Sequence, residues 1–187
     1  ADDKAYLPAL PDTPGHLPLD TANADGTIVA PFCSLADSPL LARVFNSYDR
    51  ETTDFYRWTQ VYELRELSAL VREKSGVDIG ELTALEPLAK GASGRIFRLR
   101  VVGTKNSFIV GKELEIRRIL SPSHLRSSAF DAEFTSDGRV ILRGLGWGHG
   151  VGLCQIGAAV MADRGYGYRA ILEHYYPGTQ ISESLSK

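Results

Sequence analysis

Apolar side chains recur along this chain in two periods, and the switches between them mark out its elements. From Phe55 to Tyr62 aromatic and β-branched residues dominate, a composition suited to a pleated, half-buried strand. Leu64, Leu67, Leu70 and Val71 then recur at helical spacing, with Arg65, Glu66, Arg72 and Glu73 facing away, which predicts an amphipathic helix ended by Gly76. Leu82 to Leu88, Arg95 to Val102 and Phe108 to Val110 read as short strands, punctuated by Lys90-Gly91-Ala92-Ser93-Gly94 and by Gly103 to Asn106. A short helix is expected over Lys112 to Leu120, stopping before Pro122 because the residue ahead of a proline is steered out of the helical region. Ala129 to Phe134 and Arg139 to Leu142 flank Ser136-Asp137-Gly138, the composition of a hairpin loop. Leu153, Ile156, Gly157 and Val160 share one face of a helix that runs to Arg164 and is closed by Gly165, and a second short helix covers Tyr168 to Tyr175. Strands that follow one another with few helices between them predict an α+β fold with an antiparallel-rich sheet.

The first 40 or so residues follow neither period. They hold most of the nine prolines, Pro8, Pro11, Pro14 and Pro18 among them, so an extended arm is expected over 1–40 and a domain over 41–187. The 187 residues, 43% of them hydrophobic, suffice for one ordinary domain or two small lobes. Twenty-one basic against 23 acidic residues give a formal charge of -2, with no basic stretch of the kind that tracks phosphates, so nucleic acid is not an expected partner. No run approaches the roughly 18 apolar residues of a membrane span, and the N-terminus lacks the regions of a signal peptide. Because the sequence opens at Ala1, a processed form or a fragment of a longer protein is expected. Cys33 and Cys154 are too few for a disulfide framework, and their spacing leaves open whether they pair.

One segment stands apart chemically: Gly144-Leu145-Gly146-Trp147-Gly148-His149-Gly150-Val151-Gly152, just ahead of the helix that Leu153 begins to outline. Glycines alternating around one imidazole suggest a shaped, partly exposed loop. Beside a purely structural role, two chemistries are open. Backbone amides of Gly148 to Gly152 and the imidazole of His149 can bind a ligand's oxygens at a helix start, or Cys154 can act as a nucleophile with His149 as base, a Cys/His hydrolase. The ending of a P-loop is missing, and a dinucleotide fingerprint would need a βαβ unit. His124, His149, His174 and Cys154 do not form the close pairs typical of zinc sites, so no metal is assigned to this chain. Arg117 and Arg118 with Ser127 and Ser128 can line a polar groove or form a helix's exposed side and a turn.

Gly146-Trp147-Gly148-His149-Gly150-Val151-Gly152-Leu153-Cys154-Gln155-Ile156-Gly157-Ala158, followed by Met161-Ala162-Asp163-Arg164-Gly165 and by His174-Tyr175-Tyr176-Pro177-Gly178-Thr179, resembles the C-terminal signature of the stage II sporulation protein D / LytB (SpoIID/LytB) family. Ser93-Gly94-Arg95, Ile116-Arg117-Arg118, Ser127-Ser128-Ala129-Phe130 and Tyr6-Leu7-Pro8 with Asp12 are similar to upstream parts of the same family. The resemblance implies peptidoglycan as partner, in the periplasmic or extracellular cell envelope: lytic transglycosylases that cleave glycan strands, or enhancers of a cell-wall amidase. It also implies a catalytic glutamate on an N-terminal helix and a zinc near a Cys-Gly-Gly segment. Neither occurs in these 187 residues, so the chain is expected to be the family's C-terminal portion, with the general acid assigned to none of its residues and no cofactor held by it. By the same resemblance Trp147, His149, Gln155, Tyr175 and Tyr176 are expected to line a saccharide groove, with Arg118, Ser127 and Ser128 as further candidates. At position 154 the family commonly carries serine, which tells against a catalytic thiolate there.

Overall fold

The structure is a computed structural model, and it describes residues 7–16, 28–35, 39, 40, 43 and 56–182. The chain divides into two compact units, one of residues 1–53 and 151–187, the other of residues 54–150.

Among the described residues, the strands all lie in the unit 54–150. β1 (Arg57–Glu63) leads without a loop into α1 (Leu64–Ser75). Helix α1 buries Leu67 and Val71 and ends where Gly76 turns left-handed at φ 73°, its N–H returning to the Arg72 carbonyl. Ser68, a polar residue on the buried face, is satisfied twice: its hydroxyl donates to the Leu64 carbonyl at 2.6 Å and accepts the Leu82 N–H at 2.9 Å. That bond sets the start of β2 (Leu82–Lys90), which continues as a meander into β3 (Ile96–Gly103) and β4 (Ser107–Gly111). Pro87 lies within β2 and lacks an amide hydrogen. It is accommodated because β2 is an edge strand of the β2-β3-β4 sheet, with register shifts beside it. α2 (Glu113–Ile119) buries Ile116 and Ile119 and stops ahead of Ser121-Pro122.

β5 (Phe130–Phe134) and β6 (Arg139–Leu145) form the expected hairpin, and β1 pairs on the other side of β6 to give a second antiparallel sheet of order β1-β6-β5. The architecture is therefore α+β and antiparallel, as its patterning indicates. Leu67, Val71, Ile96, Leu99, Ile116, Val140 and Leu142 join in one core with the indole of Trp58. In the register of the second sheet Trp58 faces Gly144. A Cβ built at Gly144 would lie 2.0 Å from the indole, so the ring occupies the space that the glycine leaves.

The other unit is built from two short 3-10 turns, Pro14–His16 and Phe32–Leu35, with α3 (Gln155–Asp163) and α4 (Tyr168–Tyr175). Phe32, Leu40, Val160, Met161 and Ile171 form its core. Phe32, from the segment expected as an extended arm, is 1% exposed and packs with Val160, Met161 and Ile171 of the C-terminal helices.

The contact at Gly144 predicts a specific cost. Gly144→Ala forces the Trp58 ring out of its position and lowers unfolding stability by about 1–3 kcal/mol, whereas Gly111→Ala, whose Cβ would meet nothing nearer than 4.0 Å, stays within about 0.5 kcal/mol of the parent in the same denaturant titration.

Candidate functional site

β6 delivers the chain into the glycine-rich loop, and three successive alternate residues there, Gly146, Gly148 and Gly150, take φ of 72°. Side chains rarely adopt that conformation, so the glycines are a backbone requirement. Such a loop makes no ladder of its own, and its polar groups are satisfied from outside it. The indole N–H of Trp58 donates to the Gly146 carbonyl at 3.1 Å, and Arg95 Nε–H donates to the Gly148 carbonyl at 2.9 Å. The amides of Gly146 and Gly148 donate to the carbonyls of Tyr56 and Arg126 at 2.6 and 2.7 Å. A Cβ at Gly150 would come 2.1 Å from Arg95 Nη1, and one at Gly146 3.0 Å from Nη2. The loop is folded around the Arg95 guanidinium.

Held in this way, the loop displays Trp147, 47% exposed, and the exposed His149. The Arg126 guanidinium lies 5.7 Å from the Trp147 ring centroid, a cation–π distance, and Arg126 Nε is buried without a hydrogen-bond partner. The other candidates of this unit have different surroundings. Arg118 donates to Glu115 at 2.9 Å and to the Lys74 carbonyl at 3.1 Å. Arg117 donates to the Leu125 carbonyl at 2.7 Å. Ser127 is fully buried, donating to the Leu145 carbonyl and accepting the Ala129 N–H, and Ser128 is buried beside it with its hydroxyl unpartnered. Both serines sit in packed structure and offer no exposed hydroxyl.

In the other unit Cys154 is the N-cap of α3, its sulfur accepting the Gly157 N–H at 3.4 Å. Asp12 and Cys33 meet it there, and the two thiol sulfurs and a carboxylate oxygen all lie within 4.8 Å of one another. The Asp12 carbonyl accepts the Phe32 N–H at 2.8 Å, which brings the two 3-10 turns together. Asp12 Oδ1 accepts the Tyr175 hydroxyl at 2.8 Å and contacts His174 Nε2 at 3.1 Å, while Oδ2 is buried with no hydrogen-bond partner. The His174 ring stacks on His16 at 4.3 Å and meets the edge of Phe32 at 5.4 Å. Gly157 makes this possible, since a Cβ there would lie 2.3 Å from the Tyr175 hydroxyl and 2.5 Å from Asp12 Oδ2.

Four groups of this cluster, Cys33, Cys154, His174 and Tyr175, are displaced from their ordinary ranges by their surroundings. The hydrogen bond from Cys33, helped by the Gly157 N–H, holds the Cys154 thiol below the usual range, and Cys33, which gives that bond in a partly buried place, is pushed up. Burial lowers His174, and burial next to the Asp12 carboxylate raises Tyr175. Both cysteines are free thiols. Within its unit the Cys154 thiol is engaged by Cys33, Asp12 and the start of α3. Tyr176 accepts the Leu153 N–H at 3.2 Å on its hydroxyl, and Gln155 is exposed at the first turn of α3. The meeting of Asp12 with Cys33, Cys154 and His174 was not legible in the sequence, because 162 positions separate Asp12 from His174, and only the open question of Cys33 pairing with Cys154 pointed toward it. Arg95 was legible only as part of Ser93-Gly94-Arg95.

The chain belongs to the family described as a domain of unknown function (DUF8618), whose model matches residues 1–152. It is 31% identical over 150 residues to a stage II sporulation protein D of Bacillus amyloliquefaciens, covering 79% of this chain and 39% of that protein. A stage II sporulation protein D of Bacillus subtilis (strain 168) is 30% identical over 146 residues, 78% of this chain and 39% of that protein. An amidase enhancer of the same organism is 46% identical over 41 residues, 22% of this chain and 6% of that protein. These matches support the SpoIID/LytB resemblance, and the chain spans about two fifths of the length of the sporulation relatives.

The loop's dependence on Arg95 can be measured. Arg95→Ala removes the group around which the loop folds and raises amide exchange at Gly146 to Gly150 by about tenfold or more, with the β2-β3-β4 amides unchanged. Unaltered protection in the loop would show that Arg95 does not hold it.

Proposed function

We propose that this chain supplies a glycan-contacting face to a cell-wall-acting protein of the SpoIID/LytB family, working on peptidoglycan outside the cytoplasm. The observation that carries the proposal is the display of Trp147 and His149 two positions apart on a loop fixed by Trp58 and Arg95. An exposed indole offers a flat apolar face to a sugar ring, and an imidazole can donate to or accept from its hydroxyls. A fixed loop presents both at little ordering cost on binding, which is what selective recognition of a flexible polymer requires. Gln155, Tyr175 and Tyr176 extend the candidate set in the other unit.

In this reading the chain binds and positions the strand and does not itself protonate the glycosidic oxygen. Lytic cleavage needs a carboxylic acid whose pKa is raised by its surroundings. Of the carboxyl groups described here, Asp12 is engaged by Tyr175 and His174, and Asp78 and Asp137 are held below the usual carboxylate range by Lys105 and Arg139. The name of the sporulation relatives supports the family setting, and the stretch similar to an amidase enhancer supports an accessory role in wall hydrolysis as the second reading.

Cosedimentation with purified sacculi tests this. The chain is expected to bind, Trp147→Ala to weaken binding about tenfold, the equivalent of about 1.4 kcal/mol, and His149→Ala to weaken it severalfold. The chain alone is expected to release no anhydro-muramyl ends by mass spectrometry. Absence of binding, or binding indifferent to both substitutions, sinks the proposal, and stimulation of a wall amidase without strand binding favours the accessory reading.

A further inference from the structure

The cluster around Asp12 carries donor chemistry of another kind than the exposed indole and imidazole of Trp147 and His149. Three observations within one unit converge. Two free thiols and a carboxylate oxygen lie within 4.8 Å of one another, with the sulfurs of Cys33 and Cys154 partly buried. The carboxylate is oriented from behind: Tyr175 and His174 engage Oδ1, and the buried Oδ2 has no hydrogen-bond partner among the described residues. A buried carboxylate oxygen with nothing to bond is costly, and it invites a cation. Gly157, with no side chain, makes the room in which Oδ2 lies against the start of α3.

We infer that Asp12, Cys33 and Cys154 form a zinc site, with three protein donors and a fourth position open to water. Donors at zinc bond lengths of about 2.0–2.3 Å in a tetrahedron stand roughly 3.5–3.8 Å apart, so donors already within 4.8 Å need only a small contraction. The donor set selects the metal: two thiolates disfavour magnesium and calcium, and a mixed sulfur and carboxylate set of this size suits zinc. Binding forms two Zn–S bonds and one Zn–O bond as the two thiol protons pass to solvent, with no electrons moved. Tyr175 and His174 act as the outer partners that fix the ligand carboxylate. Asp12 and Cys33 come from the two 3-10 turns and Cys154 from α3, so the metal clasps these segments together. The Cys-Gly-Gly segment on which the family resemblance places a zinc does not occur in this chain, and the residues assigned here are different ones.

The test uses the full chain, freshly purified under reducing conditions, stripped of metal and titrated with zinc against a chromophoric chelator. One zinc per chain is expected, with thiolate-to-metal absorption when cobalt replaces zinc, and with a rise in the thermal midpoint of about 5–10 °C at a hundredfold excess over the dissociation constant. Cys154→Ser retains an N-cap oxygen and therefore the helix start, so its circular dichroism is expected to match the parent while zinc affinity falls at least a hundredfold. Asp12→Asn is expected to lower affinity about 10- to 100-fold. No zinc bound by the reduced chain, binding unaffected by both substitutions, or a Cys33–Cys154 disulfide in peptide maps of protein taken directly from its source would each overturn the assignment.

Discussion

The indole of Trp58 lies where a side chain at position 144 would have to be, and the glycine loop depends on that exclusion. Trp58 and Gly144 face one another across β1 and β6, so ordinary antiparallel pairing sets the ring in place. Its N–H then reaches the Gly146 carbonyl, two residues further along, and so fixes the first turn of the loop. Arg95 repeats the device one step on, at Gly148. Each contact satisfies a carbonyl that a loop of left-handed glycines cannot satisfy for itself. The loop is thus an extension of the sheet's packing, and the exposure of Trp147 and His149 follows from it.

The second unit solves a similar problem with different chemistry. Small residues again make way for a group brought from far along the chain: Gly157 leaves space for the Asp12 carboxylate and the Tyr175 hydroxyl. The result is a partly buried polar cluster, in which two thiols and an acid are held close by aromatic and helical neighbours. Ionisable groups are seldom gathered in this way for packing alone, because each loses hydration that only well-aimed partners replace. Cys154 connects the two themes. It ends the glycine run in sequence, and it caps α3 through its sulfur in space.

Both features bear on how a chain spanning about two fifths of its sporulation relatives can carry work of its own. In the proposed function an exposed aromatic and imidazole pair on a fixed loop serves recognition, and recognition is separable from bond cleavage. The inferred metal clasp would serve order in a unit whose core, among the described residues, centres on Phe32, Leu40, Val160, Met161 and Ile171. Small cores bury little apolar surface against the entropy of ordering the chain, and a cross-link or a metal offsets the shortfall.

The sequence by itself determined the elements. Aromatic and β-branched composition from Phe55 to Tyr62, helical spacing from Leu64 to Val71 under Gly76, and the hairpin loop at Ser136-Asp137-Gly138 are local consequences of side-chain shape and backbone freedom, and the strands and helices fall where those signals lie. The glycine loop was legible as a shaped segment for the same reason. What the loop is wrapped around was not legible, because Arg95 reaches it from β3's entrance, 53 positions away in the chain. Ser127 and Ser128 read as polar groove candidates, and tertiary packing buried them against the end of β6. The union of Asp12, Cys33 and Cys154 was likewise decided only in three dimensions. Periodicity records which face of an element is apolar, whereas the meeting of single polar groups depends on how whole elements close on one another.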